Sequence, residues 1–89
     1  MDLSQHTVDD LTSRLRKIGG QLRGIEQMLA EQRDCHDITI QIAAANKALE
    51  QVGFKLVTAG FRWCLEHPDE SRDAGHTLDD VERLFLKLS

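Results

Sequence analysis

The chain has 89 residues, with 11 Lys and Arg against 15 Asp and Glu and a formal charge of −4. That length allows one domain, which buries only roughly 60% of its unfolded surface, so a partner is expected to complete the core. At 40% hydrophobic and 29% charged residues it is neither disordered nor membrane-embedded, and its total charge argues against duplex DNA, whose binding depends on neutralising phosphates.

The chain has no run of 18 apolar residues, and the start, MDLSQHTVDD, lacks the basic and apolar regions of a signal peptide. The expected location is cytoplasmic, with no membrane partner. There the two cysteines read as reduced thiols, ligands or sensors rather than as a structural disulfide.

A first helix is predicted over about residues 8–30. Val8, Leu11, Leu15, Ile18, Leu22, Ile25 and Leu29 alternate spacings of three and four, the pattern of a helix that faces other helices along a seam. Thr7-Val8-Asp9-Asp10 reads as a capping box, which places the start near Val8. Gly19, Gly20 and Gly24 each cost about 1 kcal/mol relative to Ala, so they call for close approach of another helix or of a phosphate backbone. Residues 11–25 hold Arg14, Arg16, Lys17 and Arg23 and no acid. The other residues therefore carry seven bases against fifteen acids, or −8. The chain is a basic patch on an acidic body, and such a patch binds phosphate whatever the total charge. The competing reading of the same residues is a solvated helix face.

After a polar turn at 31–34, a second helix is predicted over about 35–66. Ile38, Ile42, Ala45, Leu49, Val52, Leu56, Ala59 and Trp63 continue the alternation, Asp34 with Asp37 can cap the start, and His67-Pro68 ends it. Such a helix is about 48 Å long, too long for one short protomer to cover. Pro68–His76 reads as a linker. Thr77-Leu78-Asp79-Asp80 then opens a short third helix over about 78–88. Nothing in the chain has a strand pattern, so the fold class is all-α, a three-helix protomer.

Cys35 and Cys64 sit at opposite ends of the second helix, about 43 Å apart within one chain. Neither a disulfide nor a shared metal ion spans that distance. Antiparallel pairing of the helix with its copy puts the two-fold axis near residues 49–50 and Cys35 of one chain opposite Cys64 of the other. Cys35 lies at a helix N-terminus, which favours the reactive thiolate, and His36 beside it can add charge or ligate. Cys64, between Trp63 and Leu65, is expected to be shielded. The plainer alternative is that both are small buried hydrophobes. His67 is ligand-compatible three residues after Cys64 but falls at a helix end expected to fray, while His6 and His76 read as solvated. No nucleophile–base set, phosphate loop or carboxylate pair supports an enzyme, and no cofactor is called for.

The run Arg14–Leu29 (RLRKIGGQLRGIEQML), then Asp34-Cys35, Gln41-Ile-Ala-Ala-Ala and Cys64, resembles the copper-, nickel- and formaldehyde-sensing repressor family (CsoR/RcnR/FrmR). The resemblance implies an all-α protomer, an antiparallel four-helix-bundle dimer, a dimer of dimers, and binding to operator double-stranded DNA through Arg14, Arg16, Lys17 and Arg23. It also implies an inducer sensed at Cys35 and Cys64. Copper-sensing members place a His four residues before the second Cys, and that position here is Gly60. The chain is therefore most similar to the persulfide-sensing, CstR-like branch, in which reactive sulfur species at Cys35 are resolved by Cys64 of the partner chain, with no metal. Two alternatives stay open on this scaffold: Cu(I) held by the two thiolates with His36 or His67, and an aldehyde response through Cys35. A third is a helical interaction module with no role in DNA binding.

Overall fold

The computed structural model describes residues 3–75 and 77–88, and all its elements are helical. Helix α1 runs Gln5–Ala30, one turn earlier than expected, because Ser4 caps it and the Thr7 amide donates to Ser4 Oγ at 3.2 Å. The Thr7–Asp10 box thus lies inside the helix and is not its start. At the other end Gln32 takes a left-handed φ of 55°. The Gln32 and Arg33 amides donate back to the Leu29 and Met28 carbonyls at 3.1 and 2.9 Å. This satisfies the terminal carbonyls in the way a glycine usually does after a helix.

Helix α2 runs Cys35–Glu66 without a break, and Asp34 caps it by accepting the His36 amide at 3.1 Å. The stretch read as a linker after it is not one. Pro68 opens a short helix α3, Pro68–Asp73, because a proline that ends one helix is also well suited to the first position of the next. Asp69 and Glu70 fall in its first turn and Arg72 in its last, where they complement the helix dipole. Among the described residues there are therefore four helices, not three. Thr77 and Asp80 form the expected capping box at the start of α4, Leu78–Lys87. His76 lies outside the described residues.

The predicted seams split in two. On α1, Leu11, Ile18 and Ile25 are buried, while Val8, Leu15, Leu22 and Leu29 between them stay exposed. On α2, Ile38, Ala45 and Val52 are buried, while Ile42, Leu49 and Leu56 stay exposed. Leu11 and Ile18 pack with Val52 and Ala48, and Ile25 packs with Ile38, Ala45 and Met28. Each helix thus spends every seventh residue on its own hairpin and leaves the intervening ones bare. Helix α4 lies back along α2, with Phe85 edge-on to Phe54 at 5.9 Å. A Cβ at Gly53 would come within 2.8 Å of the Leu88 side chain, so the glycine lets the end of α4 seat there. The result is a slab of 55 × 25 × 14 Å. No described helix is long and apolar enough to cross a membrane.

Candidate functional site

Helix α1 turns its core stripe towards α2 and leaves its basic residues outside. Arg16, Lys17 and Arg23 are exposed and Arg14 is half-buried. Arg14 Nε donates to both carboxylate oxygens of Asp10, at 3.2 and 3.3 Å, which fixes the side chain while its terminal nitrogens are not used in that contact. Arg14 and Lys17 border a groove whose opposite wall is Ala48 and Gln51 of α2. Arg23 folds back over the glycine pair, its guanidinium 3.6 and 3.9 Å from where the Cβ atoms of Gly19 and Gly20 would sit. At about 100° per residue, Arg16 and Arg23 lie on one edge of the exposed face and Arg14 and Lys17 on the other. The four predicted side chains therefore form a broad surface and not a single cluster.

The glycines do not serve helix packing within the protomer. Nothing lies within 4 Å of a Cβ built on Gly24, and Gly19 and Gly20 meet only Arg23. The close approach expected there is not made inside this chain. We expect Gly24→Ala to stabilise the fold by about 1 kcal/mol through helix propensity, read as a raised midpoint in thermal melts. If the same variant loses DNA affinity, the glycine is kept for the approach of a phosphate backbone.

The cysteines occupy one face of α2. Twenty-nine residues at about 100° each leave them only about 20° apart around the axis, though about 43 Å apart along it. The structure therefore separates them within a chain while pointing them to the same side. Cys35, the first residue of α2, is exposed. Cys64 is 5% exposed, the shielding the sequence predicts. Its burial comes from its own chain, since α3 and α4 both pack on α2 and their most buried residues are Ser71 and Val81. Gly60, one turn before Cys64, is also buried.

His67 is held in place and not frayed. Its ring stacks on Trp63 at 5.0 Å and 19°, and Nδ1 lies 3.1 Å from the Trp63 carbonyl oxygen. A carbonyl only accepts, so Nδ1 carries the proton and a neutral ring presents its lone pair at Nε2. Sequence reasoning missed this; the Trp-x-x-x-His spacing, one helical turn, was the available signal. His36 falls about 100° around the helix from Cys35 and so faces another side. Among the described residues, no three His, Cys, Asp or Glu side chains converge as a metal-binding group within the protomer. Any site that uses both cysteines takes one from each of two chains.

A sequence profile described as Metal-sensitive transcriptional repressor matches residues 7–87. The chain belongs to this family. It is similar to the Copper-sensing transcriptional repressor CsoR of Bacillus subtilis (strain 168), 32% identical over 81 residues that cover 91% of this chain and 80% of the relative. Similarity to the Copper-sensing transcriptional repressor RicR of Mycobacterium tuberculosis is 37% over 57 residues, or 64% of this chain and 59% of that one. Among solved structures, the copper-sensing repressor CsoR with Cu(I) from Geobacillus thermodenitrificans NG80-2 superposes with a TM-score of 0.75 at 28% identity, covering 94% of this chain and 84% of that one. The nickel-responsive transcriptional regulator InrS superposes with a TM-score of 0.79 at 25% identity over the full length of both. Family membership makes the chain a transcriptional repressor and not an enzyme, and it replaces the reading as an interaction module without DNA. These four relatives are named for copper or nickel, so they leave the persulfide branch without direct support.

Proposed function

We propose that this repressor pairs antiparallel with a second copy along α2, assembles as a dimer of dimers and binds operator DNA through Arg14, Arg16, Lys17 and Arg23. It releases that DNA when reactive sulfur links Cys35 of one protomer to Cys64 of the other. The carrying observation is that both cysteines share one face of a single helix, while the position one turn before Cys64 is a buried glycine without a ligand atom. The bare residues Leu15, Leu22, Ile42, Leu49 and Leu56 supply the apolar seam such a pairing needs.

The chemistry balances with a persulfide as the sulfur donor. Cys35 thiolate attacks the sulfane sulfur of RSSH, which leaves a Cys35 persulfide and RSH. The partner's thiolate at position 64 then attacks the inner sulfur of that persulfide, forming the disulfide and expelling HS⁻. A second sulfur transferred first gives a trisulfide by the same attack one atom further out. Mass spectrometry after anaerobic treatment with polysulfide is expected to show the 35–64 peptides joined across two chains, in part with one added sulfur. Modification without any cross-chain link, with DNA binding retained, removes this reading.

The copper-sensing relatives favour a second reading. Two thiolates suit Cu(I), which is soft and accepts low coordination, and Nε2 of His67 is a nitrogen donor one turn from Cys64. Anaerobic Cu(I) titration against a competing chelator separates the two readings. Tight binding lost in Cys64→Ala supports copper, and weak binding indifferent to that change supports reactive sulfur.

A further inference from the structure

The four ion pairs among the described residues use Arg14, Arg33, Arg72 and Arg83. Six of the remaining cations lie on the two long helices: Arg16, Lys17 and Arg23 on α1, and Lys47, Lys55 and Arg62 on α2. The last three fall within about 80° around α2 and extend along it for about 22 Å, which is about six or seven phosphates of rise along one DNA strand. All three are exposed. They line an open groove of about 790 Å³, where Phe54, Phe85 and Leu88 form the apolar floor, a surface suited to aliphatic stems that carry their charges outward.

This groove joins the α1 surface. Asp10 and Gln51 border both it and the groove flanked by Arg14 and Lys17. The acids lining the larger groove are Asp10 and Glu50, and Asp10 is engaged by Arg14. Over the whole of α2 three cations are balanced by three acids, Asp37, Glu50 and Glu66, and only Glu50 lies among the cations, so this helix is neutral where the remainder of the chain is acidic. The row lies about 150° around α2 from the bare stripe of Ile42 and Leu49. Pairing along that stripe leaves the row outside the seam, beside the bare side chains of Ile40, Phe54, Phe61 and Leu65.

We propose that Lys47, Lys55 and Arg62 form a second row of phosphate contacts that extends the DNA interface from α1 across α2. The proposal rests on the reading of the chain as a DNA-binding repressor. The test measures anisotropy of a labelled 30-base-pair GC-rich duplex with the full chain between 50 and 200 mM NaCl. Each phosphate contact contributes about 0.9 to the slope of log K against log salt, so each one lost makes the affinity drop over that range about 3.5-fold smaller. K47Q/K55Q/R62Q is expected to flatten the slope by at least one contact for each protomer that touches DNA, and E50Q to tighten binding. A triple variant with the parent slope, while R14Q/K17Q flattens it, overturns the proposal and leaves the DNA reading standing. A parent chain that binds no duplex overturns both. If the triple variant changes the oligomeric state in size-exclusion chromatography without changing the slope, the row faces a second copy and the proposal fails. Circular dichroism checks that the variants keep their helices.

Discussion

Cys35→Ser is expected to leave operator binding unchanged and to abolish its response to polysulfide. Coupling between an inducer and a distant binding surface is commonly worth about 1–3 kcal/mol, or about 5–150-fold in affinity, so the parent chain should lose DNA by a factor in that range while the variant changes by less than about twofold. Cys35 is exposed at the start of α2, which makes serine there a mild change for folding. Cys64→Ser places a hydroxyl at a site only 5% exposed, so its effect mixes chemistry with packing. Cys64→Ala separates the two by keeping the site apolar. In that variant Cys35 still takes up sulfur but forms no link between chains, and the DNA response is lost all the same. Retention of the response in Cys64→Ala would show that modification of Cys35 alone drives release.

The second large effect concerns the hairpin of α1 and α2. Ile25 packs with Ile38, Ala45 and Met28 in one of two small clusters, and among the described residues no side chain is less than 2% exposed. Ile25→Ala removes three carbons from such a cluster, a change that costs about 2–5 kcal/mol in a core. For a domain of this size that is a large part of its total stability. Urea melts are expected to show a midpoint shift of that order, with DNA binding lost at 37 °C. Leu22→Ala provides the contrast, because Leu22 is 51% exposed in the protomer. If Leu22 is covered only in the assembly, its loss weakens association, and melting points become more sensitive to protein concentration. Equal effects at all concentrations would mean that Leu22 does not lie between copies.

The two long helices were legible because seven-residue periodicity survives every other demand on the sequence. It was not legible that the stripe divides, with Leu11 and Ile18 turned to the protomer's own α2 and Leu15 and Leu22 left outside. Both halves carry the same residue types, and only the crossing of α1 on α2 tells them apart. Helix α3 was missed because proline carries two opposite signals, stopping the helix before it and starting the one after. The early start of α1 was missed because Ser4 and Thr7 are both good caps, and which one serves depends on where the chain leaves the helix. Of the site, the thiols and the α1 arginines were readable from spacing and charge. The cations of α2 were hidden because they were summed with the acids of the neighbouring segments. His67 was misjudged because its restraint is a ring stacked one turn back, an interaction with no periodic signature.

The slab is thin, with a short axis of 14 Å against a long one of 55 Å. A slab that thin encloses only two small clusters and leaves Leu15, Leu22, Leu49 and Leu56 bare on its surface. Self-association that covers those side chains would add the burial a second layer gives a larger domain, and would tie stability to concentration by mass action. A repressor built this way has a floor on its cellular abundance. Below the concentration at which copies meet, chains are exposed to proteolysis, and repression should fall off as a threshold in copy number and not in proportion to it.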